Sequence, residues 1–127
     1  MKYILLAYTN AAQWTSGEYD QAEFEAACKF YEDLGKELTE SGEAVDNVGL
    51  ADPSYTVTLR RQGSEVVSSD GPYAETKEVL VSFGIVDVDS HERALEIAGR
   101  VVAAVGDTVE VRPLPDGAGG EVAGEVG

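Results

Sequence analysis

Two apolar stretches with the composition of buried strands, residues 1–8 ("MKYILLAY") and residues 79–88, are each followed by apolar residues at helical spacing. The first stripe runs Phe24, Ala27, Cys28, Tyr31, Leu34 and Leu38, beginning near Asp20 and stopping at Ser41-Gly42. The second runs Ala94, Leu95, Ile97, Ala98, Val101, Val102 and Val105, capped by Asp89 or Ser90 and ended by Gly106-Asp107. Both carry the 3.6-residue period of a helix with one apolar face, bounded by residues that favour helix starts and stops. A chain that alternates strand and helix in this way has few layered architectures open to it.

The remaining segments complete the order. Residues 45–50 are a weak strand. In "YTVTLRR", Tyr55, Val57 and Leu59 alternate with polar neighbours, and Gln62-Gly63-Ser64 turns the chain back through Glu65 to Ser68 as a hairpin. "TVEVRP" is a last strand, stopped at Pro113. Strand, helix, strands, strand, helix, strand places two helices on one face of a mostly antiparallel sheet, the ferredoxin-like split βαβ arrangement of an α+β fold. Helices cover only one sheet face, whereas residues 3–8 and 79–88 carry large apolar side chains toward both. A second copy packed sheet to sheet resolves this, so a homodimer, a dimeric α+β barrel, is expected.

Totals narrow the function classes. A chain of 127 residues, 43% apolar and 26% charged, is one soluble domain, here residues 1–115 with a glycine-rich acidic tail at 116–127. With 24 acidic against 9 basic residues the net charge is −15, which repels nucleic acid and anionic membranes. The opening apolar run is too short for a signal peptide or a membrane span. A single cysteine, Cys28, precludes an internal disulfide and fits a reducing compartment, so a cytoplasmic location is expected. In its helical stripe Cys28 reads as buried and inert, and His91, beside a helix N-cap, as a surface residue.

One segment stands apart from this regular pattern. "DGPYAETKE", residues 70–78, packs a turn, an aromatic ring, two glutamates and a lysine between two strands. It resembles the Asp-Gly-Pro-Phe-Ala-Glu-Thr-Lys-Glu motif of the YCII-related (DGPF-domain) proteins, with Tyr73 in the phenylalanine position. "MKYILLAY", Trp14 after the first strand, "IVDVDSHERALEIAGR" and "VEVRP" agree with the same family, nearly to Pro113. The resemblance implies a dimeric ferredoxin-like α+β fold. For function it implies little: most members have no assigned activity, and some are encoded beside alternative sigma factors, implying a regulatory role. More distant relatives look like small enzymes with a His-Asp pair, one of them a dehydrochlorinase. The only histidine here, His91, opens the second helix, so that pair is not carried over.

The motif nonetheless concentrates the candidate residues. Asp70 can act as a general base or orient a substrate, and can equally fix its own turn by bonding backbone two residues on. Glu75, with Glu78 at i, i+3, can form an acid–base pair with Asp70, or the glutamates can pair with cations structurally. Lys77 reads as a substrate contact or as an ion-pair partner across the dimer. Tyr8, Trp14 and Tyr73 can line a pocket between the first strand and the motif loop, or fill core and interface. Ser82 and Gly84, small residues in an apolar strand, mark a pocket floor or a bend. There is no phosphate loop, nucleophile triad or Cys/His ligand spacing, so no cofactor and no metal is expected. Two readings follow. One is a dimeric small-molecule-binding protein or small acid–base enzyme with its pocket at the motif loop. The other is a non-catalytic interaction protein tied to a sigma factor.

Overall fold

A computed structural model describes residues 1–12, 20–72 and 77–115. Strand β1 is Lys2–Asn10, helix α1 Gln21–Ser41 and strand β2 Ala44–Gly49. A 3-10 turn, Pro53–Tyr55, leads into the hairpin strands β3 (Val57–Gln62) and β4 (Glu65–Asp70). Strand β5 (Glu78–Asp87), helix α2 (His91–Val105) and strand β6 (Thr108–Pro113) complete the described chain. The main sheet has the order β2-β5-β1-β6, with every pairing antiparallel, and β3 and β4 form a separate two-stranded ribbon. Both helices sit on one face of the sheet, in agreement with the split βαβ expectation.

Local chemistry sets the element ends. The Asp20 carboxylate accepts from the backbone N–H of Ala22 (2.8 Å) and Glu23 (3.2 Å), satisfying donors that the first turn of α1 leaves open. At the other end Gly42, at φ 82°, lets its own N–H reach Thr39 and that of Glu43 reach Leu38, closing a Schellman motif. Ser90 caps α2 through Arg93 N–H at 3.1 Å. Tyr55, read above as part of the strand, lies in the 3-10 turn because Asp52 caps it at Ser54 N–H, 2.9 Å away.

Alternation along β1 divides the sheet into two faces. Tyr3, Leu5 and Ala7 are buried toward the helices, while Ile4, Leu6 and Tyr8 point to the opposite face and are half-buried. Tyr3 and Leu5 join Val86 and Val88, Leu34 and Leu38 of α1, and Ala94, Ile97, Ala98 and Val101 of α2 in a single core. Arginines clamp the layer from outside. Arg93 makes a two-pronged contact to Glu43 (2.8 and 2.9 Å), and Arg100 bonds Glu37 across the two helices.

The stripes are narrower in the structure than their periodicity suggests. Cys28 is exposed rather than buried, because only Leu34 and Leu38 of α1 reach full burial and the first half of the helix lies outside the core. Phe24 is accordingly 56% exposed. Leu95 and Val102 lie on the exposed flank of α2. His91 departs in the other direction. Its ring packs 5.7 Å from that of Tyr3, and its buried Nδ1 has no hydrogen-bond partner among the described residues.

Candidate functional site

The motif segment is first of all an anchored turn. Gly71 adopts φ 90°, a conformation in which a Cβ would strain the backbone. Its N–H donates to the Thr56 carbonyl (2.7 Å) and its carbonyl accepts from the Thr58 hydroxyl (2.8 Å), tying the segment to the start of β3. Asp70 ends β4 opposite Val57 and is exposed, and its side chain has no hydrogen bond or ion pair among the described residues. Lys77 is exposed as well, and its backbone carbonyl accepts from Ala11 N–H at 2.9 Å. Trp14, Tyr73 and Glu75 lie outside the described residues.

Tyr8 is on the sheet face away from the helices. Its phenol is held above the ordinary tyrosine range by burial and then by the charge of Glu110. Nearby, the Thr108 hydroxyl donates to Glu78 at 3.2 Å. Tyr8, Glu78 and Glu110 thus form a polar border to the apolar outer face.

A ligand-sized space lies elsewhere. Between α1 and the inner face of the sheet is a partly open cavity of about 90 Å³. None of its described lining residues belongs to residues 70–78. Its walls are apolar: Leu5 and Ala7 of β1, Leu34 and Leu38 of α1, Ile97 and Val101 of α2. Ser82 and Gly84 of β5 lie along its floor, so the pocket-floor reading of these two small residues fits their position. At Gly84 an added Cβ would stand 3.5 Å from the Asp46 carbonyl oxygen and 3.6 Å from Asn47 Oδ1, ordinary contact distances. The glycine is therefore not enforced by a clash. It leaves room.

Polar groups reach the cavity at two ends. At the β2 edge a bulge between Ala44 and Asp46 throws Val45 outward and brings both Asp46 and Asn47 to the rim. At the other end stand Tyr31 and Ser82. Burial first, and then the negative charge of Asp107, raise the Tyr31 phenol above its ordinary range, while the Ser82 hydroxyl works the other way. Asp107 is itself raised by burial, opposed by the hydroxyl of Thr9. Thr9 and Asp107 lie two residues from the cavity-lining Ala7 and Val109 respectively, so the four polar side chains mark one end of the helix–sheet space.

Sequence reading missed this group for a plain reason. Tyr31 is indistinguishable from the other members of its apolar stripe, Asp107 reads as a helix stop, and Thr9 as the start of a loop. A usable signal does exist: a hydroxyl and a glycine, Ser82 and Gly84, on one face of an otherwise apolar strand.

The described residues contain no group of three or more histidine, cysteine, aspartate or glutamate side chains placed to hold a metal ion. No helix among them is long and apolar enough to cross a membrane. The architecture is thus that of a small α+β domain with a helix–sheet cavity that is apolar in its walls and polar at its ends. The chain belongs to the YCII-related domain family, whose model matches residues 1–116. It is 30% identical over 116 residues to an uncharacterized protein of Rhizobium meliloti (strain 1021), covering 90% of this chain and 92% of that protein.

Proposed function

We propose that this chain is a small-molecule-binding protein that works as a homodimer and takes its ligand in the cavity between α1 and the sheet. The observation that carries the reading is the cavity's make-up: an apolar chamber with a small-residue floor and a few polar groups at its ends, the usual composition of a ligand site. An acid–base version of the same reading would use Tyr31 and Asp107, which stand at the cavity's inner end and which burial has moved from their ordinary ranges. The single cysteine fits a cytoplasmic protein.

The dimer part rests on the apolar surface that the helices leave uncovered. Ile4, Leu6, Phe83 and Ile85 are only half-buried, the β3–β4 ribbon exposes Val57, Leu59 and Val66, and the 3-10 turn before it exposes Tyr55. In this arrangement Tyr8, Asp70 and Lys77 serve the subunit contact, and the motif turn holds the ribbon in place. Trp14, Tyr73 and Glu75 are candidates for a wall on the motif side. The same ribbon favours a second reading, a protein-interaction module whose partner, by the resemblance noted above, would be a sigma factor.

Thermal unfolding with a panel of small neutral compounds tests the pocket. At a hundred times its dissociation constant a ligand adds about 2.7 kcal/mol, which raises the midpoint by several degrees. Gly84→Ala, which adds a methyl to the floor, is expected to weaken every hit. Hits indifferent to that methyl, or a flat panel, would contradict the pocket. Light scattering at micromolar concentration tests the dimer, and a monomer there would sink it.

A further inference from the structure

The cavity's electrostatics select among ligand classes, an inference that rests on the binding reading above. Among its described lining residues there is no lysine, arginine or histidine. The nearby arginines are already committed, Arg93 to Glu43 and Glu96 and Arg100 to Glu37, outside the helix layer. An anionic ligand head would therefore lose its hydration without a counter-charge, in a molecule of net charge −15.

A cation fares little better. The one carboxylate in the described lining, Asp46, is exposed at the rim, where water screens its charge. At the inner end the carboxyl of Asp107 is partly desolvated, and the hydroxyl of Thr9 lies beside it. What the inner end does offer is a pair of neutral hydroxyls, Tyr31 and Ser82, each able both to donate and to accept. Size narrows the choice further. A dry apolar cavity of about 150 Å³ accommodates the six carbons of benzene, so about 90 Å³ encloses roughly four heavy atoms, and the partly open side leaves room for one or two more.

We infer that the cavity takes a small uncharged molecule with a compact apolar body and one neutral oxygen, an alcohol or ketone, whose oxygen meets Tyr31 and Ser82. The body replaces the missing packing between Leu34, Ala7 and Val101, and the oxygen joins the Tyr31 and Ser82 hydroxyls, which already interact with each other and keep further donor or acceptor capacity.

The test is a titration of the full chain by calorimetry with four probes that share one carbon skeleton: cyclopentanol, cyclopentane, cyclopentanecarboxylate and cyclopentylamine. Wild type is compared with Tyr31→Phe and Ser82→Ala. Cyclopentanol is expected to bind about five- to tenfold more tightly than cyclopentane, the worth of one or two net hydrogen bonds. The carboxylate and the amine should bind more weakly than either. Tyr31→Phe and Ser82→Ala should each reduce the preference for the alcohol and leave cyclopentane affinity in place, which also shows that the variants are folded. Equal binding of alcohol and hydrocarbon, a preference unchanged in both variants, or tighter binding of either charged probe overturns the ligand class while leaving the pocket intact. No binding of any probe removes both the ligand class and the pocket.

Discussion

The main sheet and the β3–β4 ribbon are both built from antiparallel strands, yet their apolar side chains end in opposite states. In β1, Tyr3, Leu5 and Ala7 are buried under α1 and α2, with Tyr3 fully enclosed. In the ribbon, Leu59 and Val66 are 64% and 73% exposed, and Tyr55, in the turn that leads into it, is 80% exposed. Alternation tells which side chains share a face. It does not tell whether this chain supplies anything to cover that face. The core has found its partner within the molecule. For the ribbon, the cover would be the second copy of the proposed homodimer.

Substitutions in the two regions should therefore behave differently, and the largest difference lies in the core. Ile97→Ala removes a side chain that is 1% exposed and should cost about 2–5 kcal/mol in denaturant unfolding. A loss near zero there would mean that the helix layer is not packed as described. Next comes the hinge between the regions. Gly71→Ala places a Cβ at φ 90° and should cost about 1–2 kcal/mol, loosening the ribbon before the sheet in hydrogen exchange.

A smaller effect, on the order of 1 kcal/mol, is expected from the clamp on the helix side. The bond from Arg93 holds the Glu43 carboxyl down at about 2. A carboxylate depressed in the folded state contributes stability that is complete above its unfolded value, near 4.5, and fades as pH falls toward 2. Glu43→Gln should therefore flatten the acid limb of the stability profile between those values. An unchanged acid limb would exclude the clamp as its source. The smallest effect on unfolding belongs to Leu59→Ser, within about 0.5 kcal/mol for a position that is 64% exposed. The same change should shift a dimer toward monomer in light scattering. If it leaves the mass unchanged, the ribbon is not part of the subunit contact.

The fold was largely legible because its signals are local. Asp20, Gly42, Ser90 and Gly106 carry the cap chemistry that bounds the helices, and two apolar strands each precede a helical stripe. Burial along those stripes was overestimated, as Cys28, Phe24, Leu95 and Val102 show. A period reveals a common face but not the width of the surface that meets it. The cavity was legible only through Ser82 and Gly84. Its polar end depends on Tyr31, Thr9 and Asp107 converging from three elements far apart in the chain, which no spacing records. The motif at residues 70–78 drew attention by its composition. In the described part, its glycine conformation and the bonds from Gly71 to Thr56 and Thr58 account for Asp70-Gly71-Pro72 as a structural turn.

Amide chemical-shift mapping of the isotope-labelled chain during titration with cyclopentanol distinguishes a ligand in the helix–sheet cavity from one at the motif turn. Shifts are expected to concentrate at Ala7, Leu34, Ser82 and Gly84, with Asp70, Gly71 and Lys77 unmoved. Shifts centred on Asp70, Gly71 and Lys77, with the cavity residues silent, would contradict the cavity site.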